Sequence, residues 1–290
     1  MHGWLVLDKS LEISSAAAVG WARRLLGGVK AGHAGTLDPL ASGVLPLALG
    51  EATKAMSLLV MQEKSYEFAV SWGEERATDD AEGVVTHRSD TLPLVHDIDA
   101  IVKEFTGNIM QIPPDFSAIQ VQGKRAYANA RAGKPTQLSA RPVWVDSLEL
   151  LEHHGHLSRF LVKCGKGVYV RSLARDMGRR LGCLGYVSAL RRLSVGPFTA
   201  QAAVTLEKLQ ELSDIAVREQ YILPIMGALG GIPACGVDEE QAQKLRLGQA
   251  IPYDGGASLG QDLLVTHLGT VVAIAVVAEG FLRARRVFVL

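Results

Sequence analysis

"GHAGTLDPLASGVLPLALG", residues Gly32–Gly50, holds one carboxylate, Asp38, between small residues and a long apolar run. No further charge appears before Glu51. A residue that precedes proline is pushed away from helical geometry, so Asp38 of "LDP" is expected on a loop. Gly32, Gly35 and Gly43 allow tight turns or close approach of backbone to a ligand. On these residues alone the plain reading is a turn aspartate that opens an apolar strand. His33, taken alone, reads as a loop histidine bonded to backbone rather than as a general base. The stretch lacks both GxxxxGK[ST] and GxGxxG, which argues against a nucleotide-phosphate loop of those types. Neither HExxH nor GxSxG occurs anywhere in the chain, so those hydrolytic patterns have no local support.

Outward from this stretch, 290 residues allow one large domain or two unequal ones, and 48% hydrophobic residues suffice for a sizeable core. Lys+Arg and Asp+Glu both number 30, so net charge points to no partner. Local charge does. Lys163 to Arg192 contains eight bases and one acid, Asp176, whereas Glu74 to Glu104 contains nine acids and three bases. Such segregation suits local anion binding. The three cysteines are odd in number and lack CxxC spacing, which reads as reduced thiols in a cytoplasmic protein. "MHGWLVLDKS" has no basic region ahead of an apolar one, so no signal peptide is expected. Leu37 to Gly50 is too short for a membrane span and is broken by Pro39 and Pro46.

Periodicity sketches the elements. "GWLVLDK" reads as a strand and "SSAAAVGWARRLLGG" as a helix with serine at its start and glycine at its end. "KSYEFAVSWG" alternates Tyr66, Phe68, Val70 and Trp72, the period of a half-buried strand. "ERATDDAEGVV" is a polar turn and "VHDIDAIVKEFTG" a helix. "QIPPDFSAIQVQGKRAYANARAGKP" reads as a loop entering a basic helix. Two strands flank "HHGH" at 153–156, where a turn fits better than a metal site because no Cys or carboxylate pattern accompanies it. "GVYVRSLARDMGRRLGC" starts strand-like and turns helical from about Arg171. Composition becomes Gly-rich near "MGALGGIP", which places a domain boundary near residue 230, followed by a helix and several short strands.

Tyr169 lies between basic residues, a setting that suits stacking on a base beside a phosphate. Arg171, Arg175 and Arg179 fall at i, i+4 and i+8, on one helix face. A solvated surface helix explains this spacing equally well. The lack of interleaved acids tilts the reading towards phosphate binding.

Taken together, the chain resembles the TruB family of tRNA pseudouridine synthases. The resemblance rests on "GHAGTLDPLASGVLPLALGEATK", supported in order by "DKSLEISS", "KSYEF", "IPPDFSAIQVQGKRAYANARAGK", "KGVYVRSLARDMGRRLGC" and "LRRLSVGPF". It implies an α+β pseudouridine synthase fold, with a mixed, mainly antiparallel sheet flanked by helices and loops. Residues 1–230 would form the catalytic domain, with an RNA-binding insertion at about 108–135, and 231–290 a small PUA-like β domain. It implies Asp38 as the catalytic aspartate, Tyr66 stacking on the target base, Arg171 paired with Asp38, and Tyr169 and Leu190 lining the pocket. His33 would help displace the flipped uridine, and Asp80 matches a family acid near the site. The implied reaction converts uridine-55 in the TΨC arm of tRNA to pseudouridine. It is an isomerisation with no redox change and no added group, so no cofactor and no metal is expected. T-arm contacts are expected from Lys54, Lys124, Arg125, Arg131, Arg175, Arg179, Arg191 and Arg192, reading shape and backbone charge.

The chain departs from the family pattern at Ser10 and Glu12, where "KPxGxSS" has Pro and Gly, and at Phe116 and Gln120. Two other readings stand beside the enzyme. One is a tRNA-binding or folding protein without essential catalysis. The other is a guide-dependent synthase, against which the "FSAIQVQGKRAYANARAG" insertion weighs. The expected protein is a cytoplasmic monomer that needs neither guide RNA nor protein partner, nor a membrane.

Overall fold

The computed structural model describes residues 1–117, 119–121, 124–125 and 138–290. Strand β1 (Gly3–Lys9) leads to helix α1 (Ser15–Leu25), which starts where the Ser14 side chain accepts the Ala17 amide. β2 (Ala31–His33) and β3 (Ala41–Leu49) flank the loop bearing Asp38. A 3-10 turn, Gly50–Ala55, and α2 (Met56–Val60) precede β4 (Lys64–Trp72). The polar stretch that follows is a small hairpin of β5 (Glu74–Arg76) and β6 (Val85–Arg88). Next come α3 (Val95–Glu104), β7 (Gly107–Gln111) and a ribbon of β8 (Gln120–Val121) and β9 (Lys124–Arg125). β10 (Arg141–His154) and β11 (Leu157–Cys164) form a long hairpin whose turn is "HHGH". They are followed by α4 (Val170–Leu181), β12 (Gly185–Val195), β13 (Phe198–Thr199) and β14 (Val204–Thr205). α5 (Leu206–Glu211), α6 (Ile215–Glu219) and β15 (Ile222–Leu223) close this part. The C-terminal part holds β16 (Ala234–Gly236), α7 (Glu239–Arg246), β17 (Ile251–Pro252), β18 (Asp262–His267), β19 (Thr270–Ala278) and β20 (Phe281–Val287).

The large sheet runs β14-β1-β3-β12-β4-β11-β10-β7. β1–β14 and β3–β12 are parallel, and the other pairs along this path are antiparallel. The fold is thus α+β with a mixed, mainly antiparallel sheet. β3 explains the apolar run after Asp38. Leu45, Leu47 and Leu49 enter the core beneath α1, α3 and α4, while Val44 and Ala48 enter a second core on the opposite face. A strand covered on both faces reads as a continuous apolar stretch instead of an alternation.

That second core spans the boundary expected near residue 230. The strands β16–β20 make their own five-stranded sheet, so the topological boundary falls near 230. Yet Leu264, Val271 and Ile274 of that sheet, with Phe288 just after β20, share one cluster with Trp4, Val6 and Val44. Burial of this kind contributes about 25 cal/mol per Å² of apolar surface, so the two parts hold each other.

Two local expectations also shift. Asn108–Gln111 belong to β7, paired with β10, so any insertion begins after Gln111 and not at 108. "GVYV" is not a strand. The Gln111 side chain accepts from the Tyr169 amide (2.8 Å) and donates to its carbonyl (3.1 Å), occupying both groups a strand would need. Helix α4 then begins at Val170.

Candidate active site

Asp38 lies on the loop between β2 and β3, and four separate elements brace it. The Ser15 hydroxyl accepts from the Leu37 amide (2.8 Å) and donates to the Leu37 carbonyl (2.9 Å). The Glu12 amide donates to the Pro39 carbonyl at 2.9 Å. Lys9 Nζ, fully buried, donates to Ser10 and Ile13 carbonyls and reaches that of Pro39 at 3.5 Å. Arg192 donates to the carbonyls of Gly35 (3.0 Å) and Thr36 (3.5 Å). The "DKSLEISS" block therefore serves as the cradle of the aspartate loop, a role its sequence did not reveal.

The carboxylate meets Arg171, with Nε 3.0 Å from Asp38 Oδ2. The same guanidinium lies 3.5 Å from Asp80 Oδ2 and donates to the carbonyls of Thr78 and Phe116, each at 2.9 Å. A planar fork can hold such a set of partners at once, as a lysine cannot. Asp80 is buried, accepts the Glu82 amide at 3.1 Å and bonds the Thr78 hydroxyl. It acts on Asp38 only through Arg171. Asp38 itself is half-exposed, its side chain 39% accessible. Arg171 thus holds one side of the carboxylate and leaves the other accessible to solvent.

A cleft of about 660 Å³ is lined by Leu40, Ser42, Glu82, Leu190 and Arg191 among others, and it adjoins the aspartate loop at Leu40 without Asp38 or Arg171 in its lining. Glu82 is pushed above the usual carboxylate range, first by burial and then by the charges of Asp80 and Asp38. Tyr66, on β4, is only 8% exposed, its ring packed in the core. Burial raises its phenol, and the nearby Arg192 guanidinium opposes that rise. Tyr169 caps α4 through its backbone, and Arg141 lies over its ring, 5.4 Å from the centroid. His33 is half-buried, and its Nδ1 has no hydrogen-bond partner among the described residues. Burial, then Arg192, lowers its pKa below the ordinary value.

Residues 23–170 match the TruB family pseudouridylate synthase N-terminal domain, and residues 171–229 match the tRNA pseudouridylate synthase B C-terminal domain. The chain belongs to the TruB family. It is 46% identical to tRNA pseudouridine synthase B of Nitrobacter winogradskyi, over 99% of this chain and 83% of that protein. The Sinorhizobium medicae enzyme of the same name is 45% identical, over 99% and 96%. Among solved structures, an archaeal box H/ACA sRNP Nop10–Cbf5 complex aligns with TM-score 0.76 at 25% identity, covering 99% of this chain and 86% of that one. An H/ACA RNP bound to a substrate RNA containing 2′-deoxyuridine aligns with TM-score 0.76 at 24% identity, covering 99% and 85%, and shares the fold. As a TruB-family tRNA pseudouridine synthase, the chain is an isomerase that forms pseudouridine in tRNA.

The arginines expected to bind phosphate on this TruB-family chain are engaged with partners inside the protein. Arg175 is 7% exposed and pairs with Asp79 and Asp176, each at 2.8 Å. Arg179 chelates Glu75 through two bonds, 2.7 and 2.6 Å. The acids missing from the helix are supplied by the β5–β6 hairpin. Arg192 is 1% exposed and turned to main-chain carbonyls, out of reach of a phosphate. Arg191 is partly exposed but holds Asp8 with both terminal nitrogens. Lys54 bonds Glu51 (2.6 Å) and the Val287 carbonyl (2.7 Å), at the seam with the C-terminal sheet. The side chains of Lys124 and Arg125, and all of Arg131, lie outside the described residues. No group of His, Cys, Asp and Glu among the described residues could hold a metal, and none of the described helices is long and apolar enough to cross a membrane.

Glu12 occupies φ 66°, a left-handed conformation that the glycine of the family pattern adopts freely. Glu12→Gly is expected to raise stability by about 1 kcal/mol, read as a higher urea midpoint at unchanged slope.

Burial also lowers Lys9 and Lys64 to about 8. Above pH 8 the folded chain sheds these protons while the unfolded chain keeps them up to about 10.5. The unfolded state then binds more protons, so stability rises with pH across that window. Wild type is expected to gain up to about 2 kcal/mol per lysine between pH 8 and 9.5 relative to a variant lacking it. Parallel urea titrations of wild type and Lys64→Met check this; parallel pH profiles would contradict it.

Proposed function

We propose that the chain isomerises uridine-55 in the T-loop of tRNA, with Asp38 as the catalytic carboxylate. The observation that carries this reading is the Asp38–Arg171 pair, 3.0 Å apart, with the carboxylate side chain 39% accessible. The carboxylate is held by one fixed guanidinium and still faces solvent on its exposed side, where a nucleotide can reach it. In the reaction the N1–C1′ bond breaks, the uracil turns, and C5 bonds to C1′. The C5 proton departs and N1 gains one, so no outside group is consumed. A base inside a folded loop must leave its stack to reach Asp38. Leu190 and the rings of Tyr66 and Tyr169 are suited to receive it, and the T-arm is read by shape and backbone charge. His33, kept neutral, is suited to pack into the space the uridine leaves. We propose further that the protein acts as a cytoplasmic monomer without guide RNA.

The test is direct. Pseudouridine is mapped in unmodified tRNA and in an isolated T-arm hairpin after incubation with wild type or Asp38→Asn. One modified site at position 55, made unaided and lost in the variant, is expected. Tight binding without turnover by wild type would instead support an RNA-folding role.

A further inference from the structure

Arg192 is the least expected side chain in the molecule. It sits near the end of β12, between β3 and β4, with Gly43 and Tyr66 as its register partners. A register shift between Arg192 and Ser194 marks an irregularity there, a device that re-aims side chains. β3 comes so close that a Cβ on Gly43 would lie 2.2 Å from the Arg192 carbonyl oxygen, and Gly43 holds φ +102°. The guanidinium is 1% exposed, and among the described residues it has no carboxylate partner. A buried unpaired charge is costly, and an apolar side chain of similar volume would pack at less cost. Its donors go to three carbonyls. Nε bonds Val44 in β3 at 2.7 Å, Nη2 bonds Gly35 at 3.0 Å, and Nη1 reaches Thr36 at 3.5 Å. Gly35 and Thr36 stand just before Asp38. The same guanidinium lies beside the Tyr66 phenol.

We infer that Arg192 is a positioning residue for the isomerisation, tying the loop that carries Asp38 to the strand that carries Tyr66 and so fixing the carboxylate relative to the ring. This rests on the reading of Asp38 and Tyr66 given above. Ser15, Lys9 and the Glu12 amide hold the loop at Leu37 and Pro39, but none of these contacts joins it to β4. Arg192 is the brace whose side chain holds the loop while its own strand pairs with β4 at Tyr66. A charged fork is needed because it holds carbonyls on two segments, Gly35 and Thr36 in the loop and Val44 in β3, which an apolar residue cannot do.

The test compares Arg192→Lys and Arg192→Ala with wild type in steady-state and single-turnover assays on tRNA. Arg192→Lys keeps the charge and loses the fork. Its kcat is expected to fall about 10²-fold, the scale of an ångström-sized misplacement, with KM within about twofold. Guanidinium ion at millimolar concentration is expected to restore part of the kcat of Arg192→Ala. Wild-type kcat in a folded Arg192→Lys would overturn the inference. So would loss of the fold in both variants, which would make Arg192 a structural pin only. Asp38→Asn is run alongside. Turnover by that variant would sink the reading of the site itself, whereas an inactive Asp38→Asn with a fully active Arg192→Lys would sink only the role of Arg192.

Discussion

Asp38→Asn lowers kcat by about 10³-fold or more, the scale of a lost catalytic carboxylate, and leaves the protein folded. The substitution keeps the shape and removes the charge. Because Asp38 is 39% exposed, little packing is lost. Arg171 is not orphaned either, since Asp80 and the carbonyls of Thr78 and Phe116 still hold it. Stability is therefore expected within about 1 kcal/mol of wild type, and T-arm affinity within a few-fold. Single-turnover pseudouridine formation, a urea titration and a binding titration separate the three effects. Full turnover by Asp38→Asn would remove the aspartate from the chemistry.

Arg171→Lys acts differently, because it damages both the site and the fold. A lysine offers one compact charge and cannot reach two carboxylates and two carbonyls together. Asp80, 4% exposed, then keeps a buried charge without a matched partner. Breaking a buried pair in this way costs about 3 kcal/mol or more, visible as a lower urea midpoint. The Asp38 carboxylate also loses its anchor, and kcat is expected to fall about 10²-fold. Unchanged stability together with unchanged kcat would show that Arg171 holds neither acid. The contrast between the variants is diagnostic. Asp38→Asn is a defect of chemistry alone, and Arg171→Lys is a defect of both.

The site was legible where one short segment carries its own meaning. Asp38 before Pro39 announced a loop, and the alternation of Tyr66, Phe68, Val70 and Trp72 announced β4, which the structure contains. It was illegible where meaning depends on distant partners. Arg171, Arg175 and Arg179 looked like a bare basic face because, Asp176 beside Arg175 apart, their acids are distant in the chain, at Asp38 and in and after β5. Lys54 looked available to RNA because nothing local shows that Val287 returns to it. Glu12 looked like a mild departure until its backbone torsion showed what the family glycine is for. Arg192 could not be told from its neighbour Arg191 in "LRRL", although adjacent strand residues face opposite sides of a sheet. One reaches Asp8 and stays partly exposed, while the other is buried against the Asp38 loop.

The sequence by itself determined several elements, among them β1, α1 and β4, together with the loop that carries the aspartate and the family, because periodicity, turn chemistry and contiguous motifs are local properties of the chain. Only the tertiary structure decided which charges neutralise one another, which faces of β3 are covered, and how the aspartate is braced. Those outcomes depend on which segments meet through space. An arginine becomes a phosphate ligand, an ion-pair partner or a backbone clamp according to what folding places within about 3 Å of it.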